Sequence, residues 1–282
     1  MAHAFTEGPD RVRRSAMPED GPSLCDFRSY STADSNIVET YRLNHQFQTV
    51  SHVKQMLQIH CERFDKCKRS IWDIIQLQDQ IIDESDPDLN QRQILHAFQT
   101  AEFVRKLYPD QDYLHLVGLL HDCGKVLLLE PFGSLPQWNV VGDTFPVGTE
   151  FSDRIVYADF FESNPDKPVG LGIYEANCGL DNVLFSFSHD IYAYVVFKHN
   201  RTTLPESALK IIRYHSFYSW HKEGAYEYLM SESDYETREL CKQFSQCDLY
   251  SKDNDGSVDI EALRPYYDGL IRKYFPTEIL EW

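Results

Sequence analysis

Four imidazoles and two carboxylates, His96, His121, Asp122, His189, His215 and Asp248, fall where helical spacing turns them toward apolar faces. A single histidine in such a place is more often a hydrogen-bonded core residue than a ligand, since imidazole is only intermediate in burial. Asp248 is harder to set aside. It shares a face with Cys241, Phe244 and Ser245, and an unpaired buried carboxylate must be compensated or neutralised. Together these nitrogen and oxygen donors, drawn from five helices, suit two divalent or trivalent first-row metal ions sharing a bridging carboxylate. No cysteine pair has zinc-finger spacing.

The element that organises the rest is the apolar run from Leu114 to Leu120, which ends in His121-Asp122-Cys123-Gly124-Lys125. Leu114, Val117 and Gly118 lie on the face of His121, and Gly124 is expected to stop the helix in the left-handed conformation. Lys125 has two readings. It is either a cation at a helix C-terminus or a group that holds a phosphate or the oxygen of a metal-bound alcohol.

Periodicity predicts one long helix over 36–65, a second over 71–82, and a buried third over 91–108 that carries His96. Helices are predicted again over 181–198, 205–220, 234–250 and 258–274. His45, His52 and His60 are expected to be structural or surface residues. Between about 130 and 179, repeated Pro and Gly interrupt short strand-like runs such as Asp153–Tyr157. So long a connection in a compact domain is usually functional, often a lid. The acidic run Asp83–Asp88 reads, by itself, as a solvated capping loop.

Composition narrows the class. The chain has 282 residues, 42% of them hydrophobic, with 17 Tyr and 17 Phe, enough for a substantial core. A formal net charge of −17 argues against nucleic acid or an anionic membrane as partner. An odd set of seven cysteines, with no C-x-x-C pair and no apparent leader, points to reduced thiols and a cytoplasmic location. No apolar run approaches the ~20 residues that span a bilayer. Residues 1–26 read as a flexible arm, and 27–282 as one domain. Ser251–Val258 imitates a calcium loop but has Ala262 where the bidentate glutamate belongs. Gly170-Leu171-Gly172 lacks the third glycine of a dinucleotide motif.

The order His96, His121-Asp122-x-Gly-Lys125 and a distant Asp248 resembles the HD-domain metalloproteins, most of which are phosphohydrolases. The likeness is closer to the inositol oxygenase family. It rests on Asp83–Asp88, His96–Glu102, His115–Lys125, Pro136–Trp138, Val141–Gly148, His215–Tyr218, Asp248–Tyr250 and Leu263–Tyr267, and it covers the chain from about Phe27 onward.

The resemblance implies a mainly α, HD-domain-like helical bundle with a long irregular insertion carrying short strands. It also implies a mixed-valent di-iron centre of two Fe ions per chain, with dioxygen as co-substrate, that cleaves the ring of myo-inositol to D-glucuronate. His96, His121, Asp122 and Asp248 would hold one iron. Asp122 would bridge to the second, held with His189 and His215. Lys125 and Asp122 would be the catalytic groups. Arg28, Asp83, Glu84, Ser85, Lys125, Gly142, Asp143, His215, Ser216 and Lys252 would contact the polyol. The link over 127–135 looks longer than the family's, and 150–175 looks divergent. The alternative function is an HD-type phosphohydrolase using metal-bound hydroxide. The expected partner is a small polyol alone, with a monomer as the working state.

Overall fold

A computed structural model describes Arg28 and residues 30–88, 92–251 and 258–282. The expected arm over 1–26 and the predicted contact Lys252 lie outside the described residues.

The first predicted helix is two: α1 (Ser35–Phe47) and α2 (Val50–His60). Apolar spacing runs through the join, but Thr49 adopts an extended backbone, and its hydroxyl accepts from the His52 N–H, capping a new helix. The preceding Gln48 is fully buried, and its amide exchanges two hydrogen bonds with the backbone of Phe187, each 2.9 Å. The break therefore anchors the segment that leads into His189.

A short α3 (Ile71–Leu77) starts at a reciprocal cap between Ser70 and Asp73 and ends in a 3-10 turn over Gln78–Gln80. It is followed by α4 (Gln93–Leu107) and α5 (Asp112–Leu120), packed on each other. Gly118 permits that approach, because a Cβ there would lie 2.7 Å from the Ala101 Cα. Leu116, Leu119 and Leu120 of α5 are fully buried, each worth roughly 1.5–3 kcal/mol of transfer free energy.

The remaining helices are α6 (His189–His199), α7 (Glu206–Tyr214), α8 (Tyr218–His221), α9 (Asp234–Ser251) and α10 (Ile260–Tyr274). α9 lies against α4 and α7, and α5 also touches α7 and α10. Two strands, β1 (Lys68–Ser70) and β2 (Ile279–Glu281), pair antiparallel and tie down the C-terminus, where Trp282 is fully buried.

The mainly helical architecture matches the sequence reading. The insertion is irregular as expected, but residues 153–157 form successive turns instead of a strand, with Tyr157 at φ 56°. Among the described residues, the bridge in that region pairs Pro146 with Phe185. Phe145, Phe151 and Phe161 bury the insertion by ring packing, with Phe151 stacked on Phe161 at 4.1 Å. That aromatic core needs no ladder. His45 stacks on Phe161, and His52 bonds Asn139, as structural residues. No helix among the described residues is long and apolar enough to cross a membrane.

Gly124 departs from expectation. Its φ is not left-handed, and α5 gives way to a 3-10 run over Cys123–Leu128. The glycine is needed because a Cβ would sit 2.0 Å from the His189 carbonyl oxygen. Gly124→Ala is therefore expected to destabilise the protein by about 3 kcal/mol and to weaken metal retention as His189 moves. Denaturant midpoints and bound metal check both.

Candidate metal centre

Six predicted side chains meet at one buried point, contributed by α4, the end of α5, the start of α6, the end of α7, and α9. His96, His121, Asp122, His189, His215 and Asp248 are each at most 5% exposed. Asp122 stands in the middle. Its Oδ2 lies 3.4 Å from His121 Nε2 and 4.0 Å from His96 Nε2. Its Oδ1 lies 3.3 Å from His189 Nε2 and 3.7 Å from His215 Nε2. Asp248 Oδ1 joins the first group, at 2.8 Å from His96 Nε2 and 3.5 Å from His121 Nε2.

Backbone carbonyls set the tautomers. His121 follows the last residue of α5, and its Nδ1 meets the Gly118 carbonyl at 2.9 Å. His215 repeats this after α7 with the Ile212 carbonyl, also at 2.9 Å. Both rings satisfy carbonyls left open at a helix end. His189 Nδ1 meets the Val140 carbonyl at 2.7 Å. A carbonyl only accepts, so each Nδ1 carries the hydrogen and each neutral ring presents its Nε2 lone pair inward. His189 Nε2 and His215 Nε2 then face each other at 3.2 Å. Two lone pairs at that distance repel unless a cation or a shared proton lies between them. This donor set fits hard or borderline transition-metal ions.

Charge in the site is balanced locally. Burial would raise the Asp122 pKa, but His121 and Lys125 hold its carboxyl well below the usual range. Burial would lower Lys125, yet Asp122 and Asp83 push it upward. Its ammonium donates to Asp83 Oδ2 at 2.7 Å, Asp122 Oδ2 at 2.9 Å and Gln93 Oε1 at 3.1 Å. All three hydrogens are thus engaged.

Burial also works against protonated His121 and His215. At His121 the carboxylates of Asp122 and Asp248 together outweigh it, and at His215 those of Asp190 and Asp122 do so, so both rise above their ordinary 6.5. Their protonated forms stabilise the metal-free fold below 6.5, and that contribution is lost as pH climbs through the raised values. Metal ligation needs the neutral rings. Apparent metal affinity is therefore expected to increase with pH, by up to about tenfold per unit for each ring, and then to level off. Chelator competition across neutral pH checks this.

A narrow cleft opens onto these residues. Arg28, Asp83, Ser85, Lys125, Gly142, His215 and Ser216, all expected to meet a ligand, line it. Glu84 and Asp143 are not among its lining residues. The Glu84 N–H instead donates to Gln137 Oε1 at 3.3 Å. Asp143 Oδ1 accepts from the Arg28 guanidinium and from the Tyr41 hydroxyl, the latter at 2.9 Å. It holds Arg28 over the cleft, with that guanidinium 3.6 Å from the Tyr218 ring centroid.

Asp86, from the acidic run noted in the sequence, also lines the cleft, as do Tyr41 and Tyr218, which sequence reasoning did not single out. Nor did it single out Asp190, which lies 3.1 Å from His189 Nε2 and bonds Ser216. The signal was present: His189-Asp190 repeats the His121-Asp122 pair.

Residues 34–282 match the family described as myo-inositol oxygenase. Among curated proteins, a probable inositol oxygenase of Oryza sativa subsp. japonica is 50% identical, over 91% of this chain and 85% of that protein. Inositol oxygenase 1 of Arabidopsis thaliana is 49% identical, over 93% and 85%. The inositol oxygenase of Mus musculus is 44% identical, over 95% and 96%.

Proposed function

This chain belongs to the myo-inositol oxygenase family, and we propose that it uses dioxygen to cleave the ring of myo-inositol, giving D-glucuronate, at a coupled pair of iron ions. The observation that carries the reading is the division of Asp122. Its Oδ2 faces His121, 3.4 Å away, and its Oδ1 faces His189, 3.3 Å away. One carboxylate thus serves two ligand sets, His96, His121 and Asp248 on one side and His189 and His215 on the other. Iron bound there supplies the redox chemistry that dioxygen requires and that side chains lack.

The chain's own groups bind and orient the polyol. Lys125 is kept charged between Asp83 and Asp122, and it favours a substrate oxygen that carries negative charge. Since its three hydrogens are already engaged, one bond, to Asp83 or to Gln93, exchanges for the substrate oxygen. Ser85, Ser216 and the Gly142 backbone offer hydrogen bonds to a neutral polyol. Arg28, pinned by Asp143 and stacked on Tyr218, covers the cleft and limits water entry.

A phosphate ester suits the cleft poorly. Its cations Arg28 and Lys125 are already paired with carboxylates, and Asp83 and Asp86 add negative charge to its wall. We also propose that 27–282 acts as one catalytic domain, monomeric and cytoplasmic, without nucleic-acid or membrane partners. The formal charge of −17 and the free thiols of Cys61, Cys67, Cys123, Cys178 and Cys241 support this.

Protein reconstituted with iron and given myo-inositol in air is expected to consume oxygen and release a uronic acid. Phosphate release from nucleotides without oxygen uptake would favour the phosphohydrolase.

A further inference from the structure

Asp190 is the second residue of α6 and only 1% exposed, and its Oδ1 lies 3.1 Å from Nε2 of the preceding His189. Its Oδ1 accepts from the Ser216 hydroxyl at 3.0 Å, and its Oδ2 from the Ser216 backbone N–H at 3.2 Å. Ser216 is held from the other side as well, where its carbonyl accepts from the Thr144 N–H at 3.0 Å. His215 Nδ1 lies 3.7 Å from Asp190 Oδ2, but its hydrogen goes to the Ile212 carbonyl at 2.9 Å. The closest donors to the carboxylate from the neighbouring turn therefore both belong to Ser216.

We infer that Asp190 is a positioning residue that turns Ser216 into a hydrogen-bond acceptor toward the ligand. An ionised carboxylate can only accept, and a serine hydroxyl has a single hydrogen. With that hydrogen committed to Asp190, what Ser216 Oγ has left for the cleft is its lone pairs, and Ser216 lines the cleft. The ligand atom facing it must then be a donor. A hydroxyl satisfies this; an ether oxygen or a fluorine does not, and it meets Oγ lone pair against lone pair. Asp190 thus sets selectivity for a free hydroxyl at one position of the ring, acting through a residue that it does not replace.

This inference rests on the polyol-oxidising reading, and its test separates the two. Calorimetry would measure the binding of myo-inositol and its monodeoxyfluoro analogues to iron-loaded protein. The wild type is expected to bind one analogue about tenfold more weakly than myo-inositol. Ser216→Ala should erase that difference. In Asp190→Asn the amide N–H can donate to Oγ and free the hydroxyl hydrogen, so in iron-loaded variant protein, its iron content measured alongside, the difference should shrink to about twofold. In the Ser216→Ala background, Asp190→Asn should change nothing further.

Undiminished discrimination in Asp190→Asn, or an equal effect of it with and without Ser216, overturns the inference. Should Asp190→Asn fail to hold iron, Ser216→Ala decides alone, and discrimination that survives it overturns the inference. Wild-type protein that binds no polyol defeats the oxygenase reading and this one with it. Wild-type protein that binds every analogue as well as myo-inositol defeats only this one.

Discussion

Asp122→Ala is expected to leave the protein with neither iron and with oxygen uptake at background. Each half of the site has other donors, and a residue serving only one half would spare the other. Asp122 does not allow that outcome. Its Oδ2 and Oδ1 face His121 and His189 respectively, at 3.4 and 3.3 Å, so one truncation removes an oxygen from both sets. The fold also suffers, because Lys125 loses one of its two carboxylates while 5% exposed. Breaking a buried ion pair by removing one partner costs roughly 3–5 kcal/mol. Asp83 remains to pair with Lys125, which places the expected loss at the low end. Iron per chain and the denaturation midpoint separate the two effects. Retention of both irons would refute the bridging role.

Lys125→Ala is expected to do the opposite: keep the irons and lose the substrate. The ammonium belongs to neither ligand set, and its neighbours are Asp83, Asp122 and Gln93. A charge-assisted hydrogen bond is worth about 1.5–3 kcal/mol, so kcat/KM should fall about 100-fold, and further if the bond strengthens as charge develops on the substrate oxygen. Iron content measured beside kinetics is the check. Loss of iron together with activity would mean that Lys125 acts by balancing Asp122, not by meeting the polyol.

Much of the site could be read from the sequence, and for one reason. Each candidate ligand lies on or at the end of a helix with apolar neighbours at helical spacing, so spacing placed His96, His121, His189, His215 and Asp248 on inward faces. What spacing could not supply was contact between distant segments. The apolar pattern passes through Gln48 and Thr49 without a gap, and only the clamp of Gln48 on Phe187 explains the break there. Gly124 reads as a helix stop, but its reason is the His189 carbonyl, 65 positions further along the chain.

Asp143 was expected to touch the polyol because it stands in a family motif. In the structure its Oδ1 accepts from Arg28 and Tyr41, an arrangement that spacing along the chain does not reveal. The turns at 153–157 were misread as a strand because Ile155, Val156 and Tyr157 favour strands locally, whereas ring packing around Phe161 decides the conformation. The two short strands that join residues 68–70 to 279–281 were too brief to leave a pattern.

The most direct test of the account is iron stoichiometry with magnetic coupling in the wild-type protein, read by metal analysis together with Mössbauer spectroscopy. Two irons per chain, antiferromagnetically coupled through Asp122 and perturbed on adding myo-inositol, are the predicted result. A single iron per chain, or two that behave as independent ions, would contradict it.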